Sequence, residues 1–124
     1  LELSSAASDV YKRQEKGRLA EIIVIDQFST NLFRDKPDAY YHDRIAIFLS
    51  KELIHLKLHK KLNKIEKIFT FMPFMHSEIF EDQIISLSLY SNLGIKENFR
   101  SALKHFNIIR KFGRFPHRNK ILNR

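Results

Sequence analysis

The side chains able to do chemistry stand in separated places along this 124-residue chain. Asp26-Gln27 is followed by Asn31 and Arg34, then Asp43. His76-Ser77-Glu78 follows a proline corner, and His105 precedes the segment Phe112-Gly113-Arg114-Phe115-Pro116-His117-Arg118-Asn119. Carboxylates and imidazoles are the groups of general acid/base work. Arginines beside a helix stop and restart, where backbone amides are partly unpaired, suit a carboxylate or phosphate. One polar pocket drawing on Asp26, Gln27, Asn31, Arg34, Asp43, His76, Glu78, His105, Arg114, His117, Arg118 and Asn119 is therefore expected to bind a small anion or a peptide terminus. In it Arg114 and Arg118 hold the ligand while Asp26 and Glu78 orient them.

Two other readings use the same residues. In a hydrolase, His76 or His117 is the acid/base, partnered by Glu78 or Asp26. In a scaffold, grooves between helices take partner helices and the polar cluster is internal glue: Asp26, on an apolar face, pairs with Arg114 or Arg118, because an unpaired buried carboxylate is costly. Ser77 lacks a nucleophile elbow and is read as a helix N-cap. His76, Glu78, His105 and His117 are proper ligand types for zinc or iron. No His-Glu-x-x-His or other close-spaced set accompanies them, so no metal or cofactor is assigned. His55 and His59, spaced i, i+4 among Lys57, Lys60 and Lys61, read as a surface pair.

Composition bounds the rest. The apolar share of 44%, with three glycines and three prolines, belongs to an ordered globular chain. The absence of cysteine excludes a disulfide framework and a thiolate nucleophile, and fits a reducing, cytoplasmic compartment. The aliphatic run from Ile22 to Ile25 is far too short to span a bilayer. A net charge of +8 and a pI near 9.8 invite nucleic acid. The excess lies largely in Lys51, Lys57, Lys60, Lys61, Lys64 and Lys67, which read as a solvated face instead.

Hydrophobic period places these groups on helices. Residues 1–14 show no period, lack an initiator Met and resemble an adapter-derived leader, so the domain is taken as 15–124. Gly17 to Phe33 reads as a helix with Leu19, Ile22, Ile23, Asp26, Gln27 and Thr30 on one face. Glu21 to Asp26 also suits a buried strand, but no glycine-rich turn and no second strand follow it. After Asp35-Lys36-Pro37-Asp38 a helix runs to about Leu58 on a stripe of Ala46, Leu49, Leu53 and Leu56, widened by Ile45 and Phe48. Asn63 begins a third, carrying Ile65, Ile68, Phe69 and Met72, which Pro73 kinks or ends. A fourth follows Ser77 to about Asn92, with Ile84, Leu87 and Ser91 on one line, Ile85 and Leu89 on the next, and Gly94 as its stop. The fifth, Lys96 to Phe112, has Phe99, Ala102, Leu103, Phe106 and Ile109 at helical spacing. Gly113 ends it, and Pro116 opens a short last helix over Ile121 and Leu122.

Three of these segments, Ile25 to Arg34, Pro73 to Glu78 and Phe112 to Asn119, in this order and at these distances, resemble the bacterial domain-of-unknown-function family 924. The resemblance covers residues 17–124. It implies an all-α domain of antiparallel helical hairpins with a tetratricopeptide-like superhelical fold, of which this chain carries a part. It implies no activity, substrate or cofactor. The family has Pro-Arg where this chain has Ser29-Thr30, so no anion contact from that arginine is carried over.

Overall fold

A computed structural model describes residues 15–23, 25, 37 and 43–124. The described residues form five α-helices and no strand: α1 Glu15–Ile23, α2 Asp43–His55, α3 Lys64–His76, α4 Phe80–Leu93 and α5 Lys96–Phe112. Short 3-10 turns span Leu58–Lys61 and Pro116–Arg118. The fold is all-α, and the stretch through Ile23 is helix rather than strand. Pro37 sits in a turn. Residues 1–14 and the segment carrying Asp26, Gln27, Asn31 and Arg34 lie outside the described residues.

The core divides in two. Leu19 and Ile22 of α1 pack with Leu49 and Leu53 of α2 and with Leu62, while Arg18 ties the same two helices through Glu52 at 2.6 Å. The second cluster joins Phe71 and Met75 of α3, Tyr90 and Leu93 of α4, and Ala102 of α5. Phe71 and Tyr90 meet edge to face, their ring centroids 6.0 Å apart.

Local chemistry sets the helix ends. Asn63 Oδ1 accepts from the Glu66 amide at 2.8 Å while Glu66 Oε1 accepts from the Asn63 amide at 3.0 Å, a reciprocal capping box that starts α3. Gly94 at φ +80° and Gly113 at φ +70° take the left-handed conformation that closes α4 and α5. At the end of α2 a non-glycine does this work: Lys57 is left-handed at φ 60° and turns the chain into the 3-10 segment. The helix therefore stops at His55, short of Leu58, and His55 and His59 belong to different elements. His59 is not a surface group but half-buried, its ring 6.3 Å from that of Phe71.

Pro73 lies inside α3, which continues to His76. A proline interior to a helix removes one donor and crowds the preceding turn. Here the end of the helix is held from outside. Gln83 Nε2, fully buried, donates to Ser77 O at 2.6 Å, Met75 O at 2.9 Å and Phe74 O at 3.4 Å. These are the carbonyls a helix C-terminus leaves without partners. Tyr90 Oη donates to Ile68 O at 2.8 Å. One bond joins the start of α4 to the end of α3 and the other joins the end of α4 to the start of α3, so the two helices run antiparallel.

The buried faces differ from those the apolar period predicts. In α4 the inward residues are Asp82, Gln83, Ser86, Tyr90 and Leu93, whereas Ile84 and Ile85 are exposed. In α3 Ile65 is exposed and Thr70, Phe71, Phe74 and Met75 are buried. Ser50 of α2 turns inward and donates to Thr70 O at 2.7 Å, while Ile45, Phe48 and Leu56 face outward. In α5 only Ala102 and Ile109 are buried, and Leu103 is exposed.

If Gln83 welds α3 to α4, Gln83→Leu leaves buried carbonyls unpaired and destabilises by about 2 kcal/mol. Tyr90→Phe loses the bond to Ile68 O and about 1 kcal/mol. Urea unfolding of both variants checks the order, which reverses if the Tyr90 hydroxyl rather than the Gln83 carboxamide carries the joint.

Candidate functional site

The turn between α3 and α4 gathers the polar groups. Ser77 is the C-cap of α3 in extended conformation, and Ile79 rather than Ser77 precedes the first residue of α4. The Ser77 hydroxyl accepts from the Ile79 amide at 3.1 Å and donates to Asp82 Oδ2 at 2.7 Å. Asp82 is buried, and its other oxygen meets Lys51 Nζ of α2 at 2.9 Å. The serine thus acts as a turn clasp, fixing the residues on either side of it.

Glu78, half-buried beyond that clasp, takes hold of the chain's last segment. Its Oε2 accepts from the Phe115 amide at 2.6 Å and from Arg124 Nη2 at 2.6 Å, and its Oε1 accepts from Arg124 Nη1 at 2.7 Å. The two parallel guanidinium bonds are the geometry that arginine matches best. Burial pushes the Glu78 carboxyl up, but the hydrogen bonds from Arg124 and Phe115 and the charge of Arg118 outweigh it and hold the group below its ordinary range. The same bond raises Arg124. Arg124 also reaches Asn119 Oδ1 through Nε at 3.3 Å and Phe115 O at 3.3 Å.

Arg118 is buried in the adjoining 3-10 turn, and its guanidinium stacks 4.7 Å from the centre of the Phe115 ring. Nη2 donates to His76 O at 2.9 Å, capping the end of α3, and Nη1 lies 3.6 Å from Asp43 Oδ2 in the first turn of α2. Phe115 is itself fully buried, while Phe112, expected beside it in the core, is exposed. The last helix expected over Ile121 and Leu122 is a single 3-10 turn, because Asn119 to Asn123 continue only as turns.

Between these elements lies a cavity of about 580 Å³ walled by Asp43, Arg44, His76, Ser77, Glu78, Arg118 and Arg124, with Pro37, Ile47, Ile79 and Leu122 as its apolar lining. Of the residues singled out in the sequence, it brings together Asp43, His76, Glu78 and Arg118. Asn119 stands behind Arg124. His105 and His117 flank Phe115 instead, with ring centroids 5.5 and 5.8 Å from it, and His76 is 6.3 Å from His105. Burial is the main cause that lowers both of these imidazoles. For His105 the charges of His76, Arg118 and Lys104 add to it against the Ser101 carbonyl, and for His117 those of Arg118 and Arg124 add to it against Glu78. Arg114 is exposed and does not wall the cavity. Asp26, Gln27, Asn31 and Arg34 cannot be placed, since they fall outside the described residues. Among the described residues no three His, Asp or Glu side chains gather as a metal site.

Sequence reasoning missed Arg44, Arg124, Lys51 and Asp82. Arg44 is adjacent to Asp43 and so shares its helix turn, which was a usable signal. Arg124 meets Glu78 across 46 positions with no local pattern to announce it.

Glu78→Ala is expected to cost about 2 kcal/mol at neutral pH, since it strands the Phe115 amide and Arg124 together. The Glu78 pKa is depressed from 4.5 in the folded state, so its contribution is complete above about that pH and lost as pH falls through the folded value. The wild-type and variant stability curves should converge in acid; a gap that persists there shows that packing, not charge, is lost. His105 is likewise lowered from 6.5, so His105→Gln should flatten the loss of stability as pH falls below that value.

Comparison with known proteins agrees with this architecture. The family model described as "Bacterial protein of unknown function (DUF924)" matches residues 2–124. The chain is similar to the solved structure of a protein of unknown function, ATU0120, from Agrobacterium tumefaciens, at 31% identity. The superposition has a TM-score of 0.87 and covers 98% of this chain and 69% of that one. No curated protein matches.

Proposed function

The chain belongs to the bacterial DUF924 family, and from that premise we propose that the cavity between the start of α2 and the α3–α4 turn binds a small anionic ligand or a peptide carboxyl terminus. The observation carrying the proposal is Arg44. Arg44 walls the cavity and has no carboxylate partner among the described residues, whereas Asp43 stands against Arg118 and Glu78 is taken by Arg124. Among the described residues, three arginines thus stand with two carboxylates around the cavity, an excess of positive charge. A carboxylate or phosphate is the ligand that a guanidinium fork matches in geometry.

The residues take different roles from those their types suggest. Glu78 already accepts from three donors, which supports reading it as a clamp on the last segment rather than as a base. Arg118 is structural first: it caps His76 O and holds Asp43, so it shapes the wall that Arg44 completes. In this reading the domain is a cytoplasmic binding module, and its successive antiparallel helices stack in the manner of tetratricopeptide-like domains. No described helix is long and apolar enough to cross a membrane.

Because Arg44 is exposed, Arg44→Ala tests the proposal without disturbing the core. Thermal unfolding with inorganic phosphate, at ionic strength matched with chloride, should show saturable stabilisation of the wild type and of Arg114→Ala, lost in Arg44→Ala. Equal stabilisation of all three, or of none, contradicts the anion pocket.

A further inference from the structure

The face that α4 and α5 present together carries exposed apolar side chains away from the cavity at Arg44. Phe80, Ile84, Leu87 and Ser91 lie on one line of α4, and Phe99, Leu103, Phe106 and Arg110 on one line of α5, since residues three and four apart share a helix face. The lines run side by side in opposite directions. At one end the Phe80 and Phe106 rings are 5.5 Å apart; at the other, Ser91 shares a cavity of about 320 Å³ with Phe99 and Leu103. Tyr90 floors that cavity, and Lys96 and Arg100 edge it. Phe80, Ile84 and Leu103 are each exposed by two-fifths or more, at 42, 49 and 41%. A continuous apolar strip of this kind marks an interaction site, where single exposed residues do not. Along α4 it runs for roughly 20 Å, the length of several helical turns.

The charges beside the strip select its occupant. Lys96, Arg100 and Lys104 follow its outer flank on α5, and Arg110 and Lys111 close its end, all exposed. Against them the α4 side offers Ser88, Ser91 and Asn92, with Glu81 as its acid. A second copy docked by this face brings Glu81 and Glu97, the exposed acids of α4 and α5, against five cations and leaves most of them unmatched. The concavity at the Ser91 end of the strip suits the side chains of a helix better than a flat lipid surface. We propose that the α4–α5 groove receives an amphipathic helix of a protein partner. Its apolar stripe seats on Phe80, Ile84, Phe99 and Leu103, and its flanking Asp or Glu side chains meet Lys96, Arg100 and Lys104.

The test uses the whole chain and a dye-labelled synthetic amphipathic peptide, matched in length to α4, with leucines at helical spacing and glutamates beside them. A twin carries lysines for glutamates. Fluorescence anisotropy should show the acidic peptide binding at least about tenfold tighter than its twin, as expected of complementary charge. Leu103→Asp should abolish most of that binding, and the double change Lys96→Glu, Arg100→Glu should reverse the preference between peptides. If Leu103→Asp fails to fold, as judged by far-UV helicity, the surface charge reversal alone decides. Absent binding, equal affinity for both peptides, or an unchanged preference in the charge-reversed protein overturns the proposal. So does binding to phosphatidylglycerol vesicles, sensitive to the same changes, in place of peptide binding.

Discussion

Gln83 holds three backbone carbonyls with one carboxamide nitrogen, and the path of the chain from α3 into α4 depends on that contact. A helix carrying Pro73 near its end has already lost a donor, and its last carbonyls need partners once they are out of water. Supplying them from the first turn of α4 fixes where the two helices meet. The position of Ser77, Glu78 and the His76 carbonyl then follows. Each of these serves a second element in turn: Ser77 through Asp82 to Lys51 on α2, Glu78 to Phe115 and Arg124, and His76 O to Arg118. The cavity exists because the α3–α4 turn is pinned in this way, with the start of α2 on one side and the final segment on the other.

The same demand explains why α4 is turned with polar residues inward. The Asp82 carboxylate and the Gln83 amide nitrogen both find partners inside, and a charge-assisted or multiply bonded group inside the protein is held more firmly than one in water. Their inward placement rotates Ile84 and Ile85 to the outside. Two surfaces of different chemistry result from one choice of helix face: a polar cavity lined by arginines at the turn, and an apolar strip edged by lysines along α4 and α5.

What could be read from the sequence was local. The start of α3 at Asn63 and the left-handed stops at Gly94 and Gly113 were legible because their partners lie within a few residues. The span of α5 was legible because its stripe of Phe99, Ala102, Phe106 and Ile109 is regular. The buried face of α4 was not, since hydrophobic period assigns Ile84 and Ile85 to the core and cannot see that Gln83 has carbonyls waiting for it. At the site, Asp43, His76, Glu78 and Arg118 were recognised as a group by residue type and place. Their contacts were not: the type of Glu78 suggests a base or an orienting acid, and no local pattern announces Arg124 or the Phe115 amide on it. Arg114 looked equivalent to Arg118, but the turn after Gly113 sends one to solvent and the other into the interior. Such outcomes depend on contacts across 37 to 46 positions, which no local pattern encodes.

The central claim is that an arginine at an open wall, Arg44, meets an anion while its neighbours hold the fold. Its most direct measurement is the nuclear magnetic resonance signal of each arginine side-chain Nε–H during titration with inorganic phosphate at constant ionic strength. The account predicts a saturable displacement of the Arg44 signal with no comparable change at Arg114. Uniform, unsaturated drift of all exposed arginines, or no movement at Arg44, would contradict it.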